Sequence, residues 1–188
     1  HQEVDMAEGF SGEPVTRWTG NRNMHLVEPL SFEDPEGAVW EAPAGCEING
    51  ATIPRALWTS IGAPFVGNYR RATIVHDYFV GELSNPVVTP AERKAADRMF
   101  YHACRHDGCS RKFAGILYIG VCLGTWIATL GEPFQKSIGG DQLEYLRDVP
   151  ENEFATRKFW QIVDDCDNAI EKEDLDAIDA ILATHLAG

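Results

Sequence analysis

The segment Phe113–Gly131 (FAGILYIGVCLGTWIATLG) constrains the fold more than any other, because its 19 residues carry no charge and lie between Arg111-Lys112 and Glu132. That length is near the minimum for a helix crossing a bilayer. The Gly120-xxx-Gly124 spacing inside it also permits close helix approach in a membrane. Against a span stand its four glycines and two threonines, and the fact that no second segment of this kind occurs in the 188 residues. A central helix in a globular core, with other helices packed on its glycines, accounts for the same features. We read it as that helix and expect no transmembrane span, so the rest of the chain must supply the apolar faces that cover it.

The composition can do so. Hydrophobic residues make up 44% and charged residues 24%, which excludes disordered, collagenous and coiled-coil chains. A chain of this length buries roughly 70% of its unfolded surface, enough for one domain with an appendage. Charge is unevenly placed. Residues 1–50 hold ten acids and two bases, residues 51–140 six acids and ten bases, and residues 141–188 thirteen acids and four bases. A basic middle between acidic ends suits packing of the ends onto the middle, a cationic face for an anionic partner, or merely a solvated surface. The net charge of −13 argues against a general nucleic-acid binder. The five cysteines form no CxxC, so neither zinc site nor disulfide scaffold is indicated. Cys104 and Cys109 are close enough for a small bridge, although buried thiols are the simpler expectation. The opening HQEVDMAEGF has no charged-then-apolar leader; either none existed or one was removed, and the compartment stays open.

Residues 1–21 show little periodicity and read as an arm. Met24–Phe32 and Ala38–Ala42 are rich in strand formers around the turn Glu33-Asp34-Pro35-Glu36-Gly37, which predicts a β-hairpin. Cys46–Thr52 reads as a Gly-containing loop before a short helix from Pro54 to about Ile61. A helix is expected from Asn68 to about Leu83, followed by the breakers Ser84-Asn85-Pro86. Thr89-Pro90-Ala91-Glu92 is a complete helix start, with a Thr cap, Pro in the first turn and Glu at the third position. That helix runs to Arg105 or His106 and stops at Gly108, and the apolar helix follows from about Ser110 to Leu130. Beyond a linker at Ser137-Ile138-Gly139-Gly140, helices near 152–171 and 174–186 carry apolar stripes with a strongly acidic outer face.

Chemistry is most concentrated at His76-Asp77 and Asp97. His76 shares a helix face with Tyr69, Ala72, Phe79 and Leu83, and Asp97 shares one with Phe100, Tyr101 and Cys104, so both point inward. His76 precedes Leu83 by seven residues and Asp97 follows Pro90 by seven. At about 1.5 Å rise per residue, both lie roughly 10 Å from the connection of an antiparallel hairpin, so they can meet. A carboxylate against imidazole fixes the tautomer and stabilises the imidazolium, as a general base acting on water requires. Asp77 on the neighbouring face would then be available to hold a cation. The competing explanation is a His–Asp pair that satisfies two buried polar groups as part of the core.

The ordered segments Pro43-Ala44-Gly45, Asn49-Gly50-Ala51-Thr52-Ile53-Pro54-Arg55, Ala72-Thr73-Ile74-Val75-His76-Asp77-Tyr78 and Arg93-Lys94-Ala95-Ala96-Asp97-Arg98-Met99-Phe100 resemble the domain of unknown function 1353 family over roughly residues 22–130. The resemblance implies a strand pair, a Gly-containing loop, a His-Asp-Tyr helix and an Arg-Xaa-Xaa-Ala-Asp-Xaa-Xaa-Phe helix, and an origin in bacteria or bacteriophages. Cys46, Asn49, Thr52 and Val80 depart from the Phe, Asp, Ser and Tyr usual in that pattern. Asn49 in particular cannot serve as a carboxylic acid. A weaker similarity is to secreted phospholipase A2, where a His activates water, a distal Asp orients it, and the adjacent Asp holds calcium with a Gly-rich loop. Carried over, those roles fall on His76, Asp97 and Asp77, with Gly45–Thr52 as the loop, although the paired cysteines and disulfide framework of that family are missing. Lower-ranking alternatives are a Cys46–His76 thiol–imidazole pair of the peptidoglycan-peptidase kind, and a transition-metal site at His102, His106 and Asp107.

These readings converge on an α+β, mainly helical fold: an arm over 1–21, a core over 22–134 in which a small N-terminal β-hairpin packs on helices, and an acidic helical extension over 135–188. The leading function is hydrolysis of a lipid ester or cell-envelope substrate, phospholipase-like or peptidoglycan-directed. His76 is the base and Asp97 its orienting partner. Asp77 and Asn49 would hold a divalent cation, calcium first, and Gly50, Thr52, Arg55 and Tyr78 would line the site. Such a protein would be bacterial or phage-encoded and exported, periplasmic or delivered to the envelope. The rival is a non-catalytic, phage-derived or effector-associated interaction protein whose acidic tail binds a partner.

Overall fold

The computed structural model describes residues 9–20, 23–50, 61–62, 66–80, 89–129 and 153–186. Thr52, Arg55, the short helix expected from Pro54, the breakers at 84–86 and the linker at 137–140 lie outside the described residues. Two small antiparallel sheets precede a helical body, which makes the fold α+β and mainly helical.

The first sheet has the order β1 (Gly9–Phe10), β4 (Leu30–Glu33), β5 (Val39–Ala42), and the second the order β2 (Thr16–Gly20), β3 (Asn23–Leu26), β6 (Glu47–Ile48). The expected hairpin is β4–β5, with Leu30 opposite Ala42 and Phe32 opposite Trp40. Its turn is organised by Asp34, whose carboxylate accepts the Glu36 and Ala38 amides at 2.9 Å and the Trp40 indole N–H at 3.0 Å. Gly37 takes φ +83° there, a conformation that disfavours a side chain. Along β4 the burial alternates, Leu30 and Phe32 pointing into the core, as a half-buried strand requires.

Two elements differ from the sequence expectation. The strand expected over Met24–Phe32 is two strands in different sheets, parted at Val27-Glu28-Pro29, because Pro29 has no N–H for a ladder. The arm at 1–21 contributes β1 and β2, which pair with β4 and β3. Two- and five-residue strands stabilised by distant partners leave too little periodicity to be read locally.

Six helices follow: α1 (Arg70–Val80), entered through a 3-10 turn at Gly67–Tyr69, α2 (Pro90–His106), α3 (Arg111–Thr129), α4 (Glu153–Asp165), α5 (Asp167–Glu171) and α6 (Leu175–Leu186). The start of α2 is the expected capping box, Glu92 N donating to Thr89 Oγ1 at 3.2 Å and Thr89 N to Glu92 at 2.6 Å. It ends in a left-handed Gly108, with the Cys109 amide bonded back to the Cys104 carbonyl at 3.0 Å and the Gly108 amide to Arg105 at 3.1 Å. The helix expected over 152–171 is broken at Cys166, whose amide is shared between the Ile162 and Val163 carbonyls.

The apolar segment is α3, and it runs through the core. Ala114, Leu117, Tyr118, Ile119 and Val121 are fully buried. A β-carbon at Gly115 would stand 2.8 Å from Ile170 Cγ1, and one at Gly120 would stand 2.9 Å from Ile61 Cδ1. Both glycines are therefore sites of close approach. No helix among the described residues is long and apolar enough to cross a membrane. Phe159, Ile162, Cys166, Ile170, Ile178 and Leu182 of the acidic extension share one core with the sheets and α1–α3.

Charge complementarity reinforces that docking. Asp179 meets Lys94 at 3.0 Å and Arg98 at 2.8 Å, and Asp176 also pairs with Arg98. Glu173 meets Arg105 at 2.7 Å and Arg111 at 3.2 Å. At the other end of the chain Glu13 pairs with Arg70 and Arg71. The acidic ends thus pack onto the basic middle at these points.

Candidate functional site

The site forms where α1 and α2 run antiparallel. Six consecutive residues of α1, Ala72 to Asp77, are buried, because the helix is covered by α2 on one side and by β4, β5 and β6 on another. His76 and Asp97 meet as the rise argument requires. His76 Nε2 lies 2.6 Å from Asp97 Oδ1, with His76 0% and Asp97 1% exposed. The Phe100 ring stands 5.0 Å from the imidazole. The second ring nitrogen, Nδ1, is buried and has no hydrogen-bond partner among the described residues.

Asp77 faces the other way. Its Oδ2 accepts the backbone amides of Asn49 at 2.8 Å and Gly50 at 3.2 Å, just beyond β6. Gly50 has φ +72°, so two successive N–H groups can converge on one anion. Asp77 is 2% exposed, and through these bonds it ties the loop after β6 to α1. Asn49 therefore contributes its main chain to Asp77. Among the described residues no group of three or more His, Cys, Asp or Glu side chains is arranged to hold a metal. Tyr78 is half-buried, with its ring 5.0 Å from Phe79, which in turn packs on Trp40 at 5.1 Å.

The other candidates separate from this centre. Burial, then the nearby Asp77 charge, pushes the Cys46 thiol up to about 11. A nucleophilic cysteine needs the opposite shift. All five cysteines are free. His106 packs between Phe10 and Phe32, at 6.0 and 5.9 Å, with Nδ1 3.3 Å from Asp107. Asp107 itself is engaged by Arg71 at 2.9 and 2.5 Å, so this corner is an aromatic and ionic junction.

Arg93, which stands in the segment that carries the family resemblance, joins Phe100 beside the pair. Arg93 Nη1 donates to the Val80 carbonyl at 3.2 Å, capping the end of α1. Ala96 is fully buried between the helices. Arg93, Ala96, Asp97 and Phe100 thus fall on the side of α2 that meets α1. Their one-turn spacing was the available signal.

The His76–Asp97 pair thus lies between two packed helices, and the adjacent Asp77 ties the loop after β6 to the first of them. The chain belongs to the Protein of unknown function (DUF1353) family, whose profile matches residues 24–121. It is 38% identical over 98 residues to the uncharacterized protein y4jT of Sinorhizobium fredii (strain NBRC 101917 / NGR234), covering 51% of this chain and 27% of that protein. It is 25% identical over 96 residues to the uncharacterized protein y4iH of the same organism, covering 51% of this chain and 38% of that protein. The matched region therefore spans less than two-fifths of these curated relatives. No solved structure matches, so the similarity to phospholipase A2 finds no support in fold.

Proposed function

We propose that the His76–Asp97 pair serves as the general base of a hydrolase acting on a lipid ester or a cell-envelope linkage. The observation that carries this reading is the asymmetry of the imidazole. Nε2–H is held by Asp97 at 2.6 Å, while the buried Nδ1 has no partner among the described residues. A ring kept only for structure is better satisfied at both nitrogens, since a buried unpaired polar atom costs about 1–3 kcal/mol. In the reaction Nδ1 takes a proton from water as the hydroxide oxygen bonds to the substrate carbonyl carbon. Asp97 stabilises the imidazolium, and the same proton passes to the departing alkoxide or amine when the old C–O or C–N bond breaks. Because the pair is sealed from solvent, turnover requires a transient opening that bares Nδ1. A divalent cation, calcium the first to test, would enter this reading at Asp77, whose Oδ2 already accepts two amides.

The test is product release from mixed phospholipid vesicles and from purified peptidoglycan, with calcium or with chelator. The parent is compared with His76→Ala and Asp97→Asn, each confirmed folded. Release that is lost in both variants supports the reading, and loss with chelator adds the cation. No release from the parent on either substrate overturns it for these substrate classes.

The complete burial of His76 favours a second reading, in which the pair is a core element of a non-catalytic interaction protein. The acids of the extension that stay outside its ion pairs would then meet a basic partner. In that case His76→Ala loses stability while the parent turns over nothing.

A further inference from the structure

Asp97 stands at a boundary on α2. With about 100° of rotation per residue, Arg93 and Phe100 lie to one side of it, where the helix meets α1, and Lys94, Arg98 and Tyr101 lie to the other. On that second side the acidic extension holds the helix. Asp179 Oδ2 is 3.0 Å from Lys94 Nζ and accepts Arg98 Nη2 at 2.8 Å, while its Oδ1 accepts the Tyr118 hydroxyl of α3 at 2.7 Å. One turn further along α2, Tyr101 donates to Glu173 at 2.9 Å. A single carboxylate from α6 therefore bridges this side of α2, through Lys94 and Arg98, to the buried Tyr118 of α3.

We infer that Asp179 is a positioning residue for the His76–Asp97 pair, so that docking of the C-terminal extension sets the angle at which Asp97 holds the imidazole. The inference rests on the general-base reading for its functional meaning but not for its geometry. Contacts with α1 fix one flank of α2, yet rotation of α2 about its axis, which swings the Asp97 carboxylate across the ring, is opposed on the other flank by Asp179 and Glu173. Lys94 is exposed and Arg98 partly so, and neither would hold that flank alone. Tyr118 is fully buried and anchors Asp179 from the α3 side. Cys122, half-buried on α3, has its thiol pushed up by burial and then by the charges of Asp97 and of Asp179. Asp179 lies outside the family-matched residues 24–121, so this control belongs to the extension.

The experiment follows the His76 imidazole by proton and nitrogen NMR in the full chain. The short bond to Asp97 gives its Nε2–H a downfield resonance protected from exchange with water. Asp179→Asn is compared with Asp176→Asn, which removes a highly exposed carboxylate of the same helix that pairs with Arg98. Asp179→Asn is expected to move that resonance by more than its linewidth and to speed its exchange severalfold, and Asp176→Asn to leave it in place. Tyr118→Phe cuts the tie to α3 while keeping both cation pairs, and is expected to move the resonance too; it decides the matter if Asp179→Asn fails to fold. An unmoved resonance in folded Asp179→Asn or, where that variant does not fold, in Tyr118→Phe overturns the inference. A moved resonance in a protein that hydrolyses nothing leaves the positioning intact and removes the general-base reading.

Discussion

The contact between Gly115 of α3 and Ile170 of α5 is where the acidic extension enters the core, and it supports a double-mutant cycle with a defined sign. Ile170→Ala removes three carbons from a residue that is 1% exposed. At about 0.8 kcal/mol per buried carbon plus a cavity term, the loss comes to about 3 kcal/mol. Gly115→Ala places a methyl 2.8 and 2.9 Å from the Ile170 Cγ1 and Cγ2 atoms. Overpacking there costs about 1–3 kcal/mol, of which helix propensity returns about 1, for a net loss of about 1 kcal/mol. In the double variant both crowding atoms are gone, so the new methyl enters the void and the propensity gain survives. The pair should then be about 2 kcal/mol more stable than the two losses added together, within the usual range for residues in contact. Urea unfolding gives the cycle, and in a chain of this size each kcal/mol moves Tm by about 2–4 °C. Additivity within about 0.5 kcal/mol would refute the packing. So would a Gly115→Ala variant about 1 kcal/mol more stable than the parent, as at an exposed helical glycine.

Asp97→Ala should destabilise by about 1–3 kcal/mol, since it strands a second buried imidazole nitrogen, and replacing both His76 and Asp97 by Leu should cost less than the single losses summed, as chemical denaturation would read. Glu173 adopts φ +54° at the end of α5; Glu173→Gly and Glu173→Ala lose the same carboxylate, so the Gly variant should be about 1 kcal/mol the more stable by urea unfolding. Burial raises the carboxyls of Asp179 and Glu173, but bonds from Arg98, Tyr118 and Lys94 to the first, and from Arg105 and Tyr101 to the second, outweigh it and hold both below their ordinary 3.8 and 4.5. Their stabilisation is thus fully present above those ordinary values and lost as pH falls through the lowered ones; Tm measured downward from pH 5 should fall, and less steeply in an Asp179→Asn, Glu173→Gln variant.

Much of the fold was legible because local rules and burial agreed. The capping box at Thr89–Glu92 fixed the start of α2, Gly108 its end, and the apolar run α3. The meeting of His76 and Asp97 followed from equal distances to one connection. What escaped was long-range. The strands at Gly9–Phe10 and Thr16–Gly20 have no periodicity of their own and exist through β4 and β3. An acid beside a histidine carries no sign of its partners, so the bonds that Asp77 accepts from the Asn49 and Gly50 amides, 28 and 27 residues away, could not be read locally. The charge asymmetry announced that the ends could dock on the middle, but only the fold shows Asp179 reaching Tyr118 behind Asp97.

The most direct measurement is carbethoxylation of His76 by diethyl pyrocarbonate, mapped by peptide mass spectrometry under conditions where the protein stays folded. A general base whose Nδ1 is bared by local opening should be modified faster than the global unfolding rate measured under the same conditions, with loss of any hydrolytic activity. Protection of His76 until the chain unfolds would contradict that account and leave the pair as part of the core.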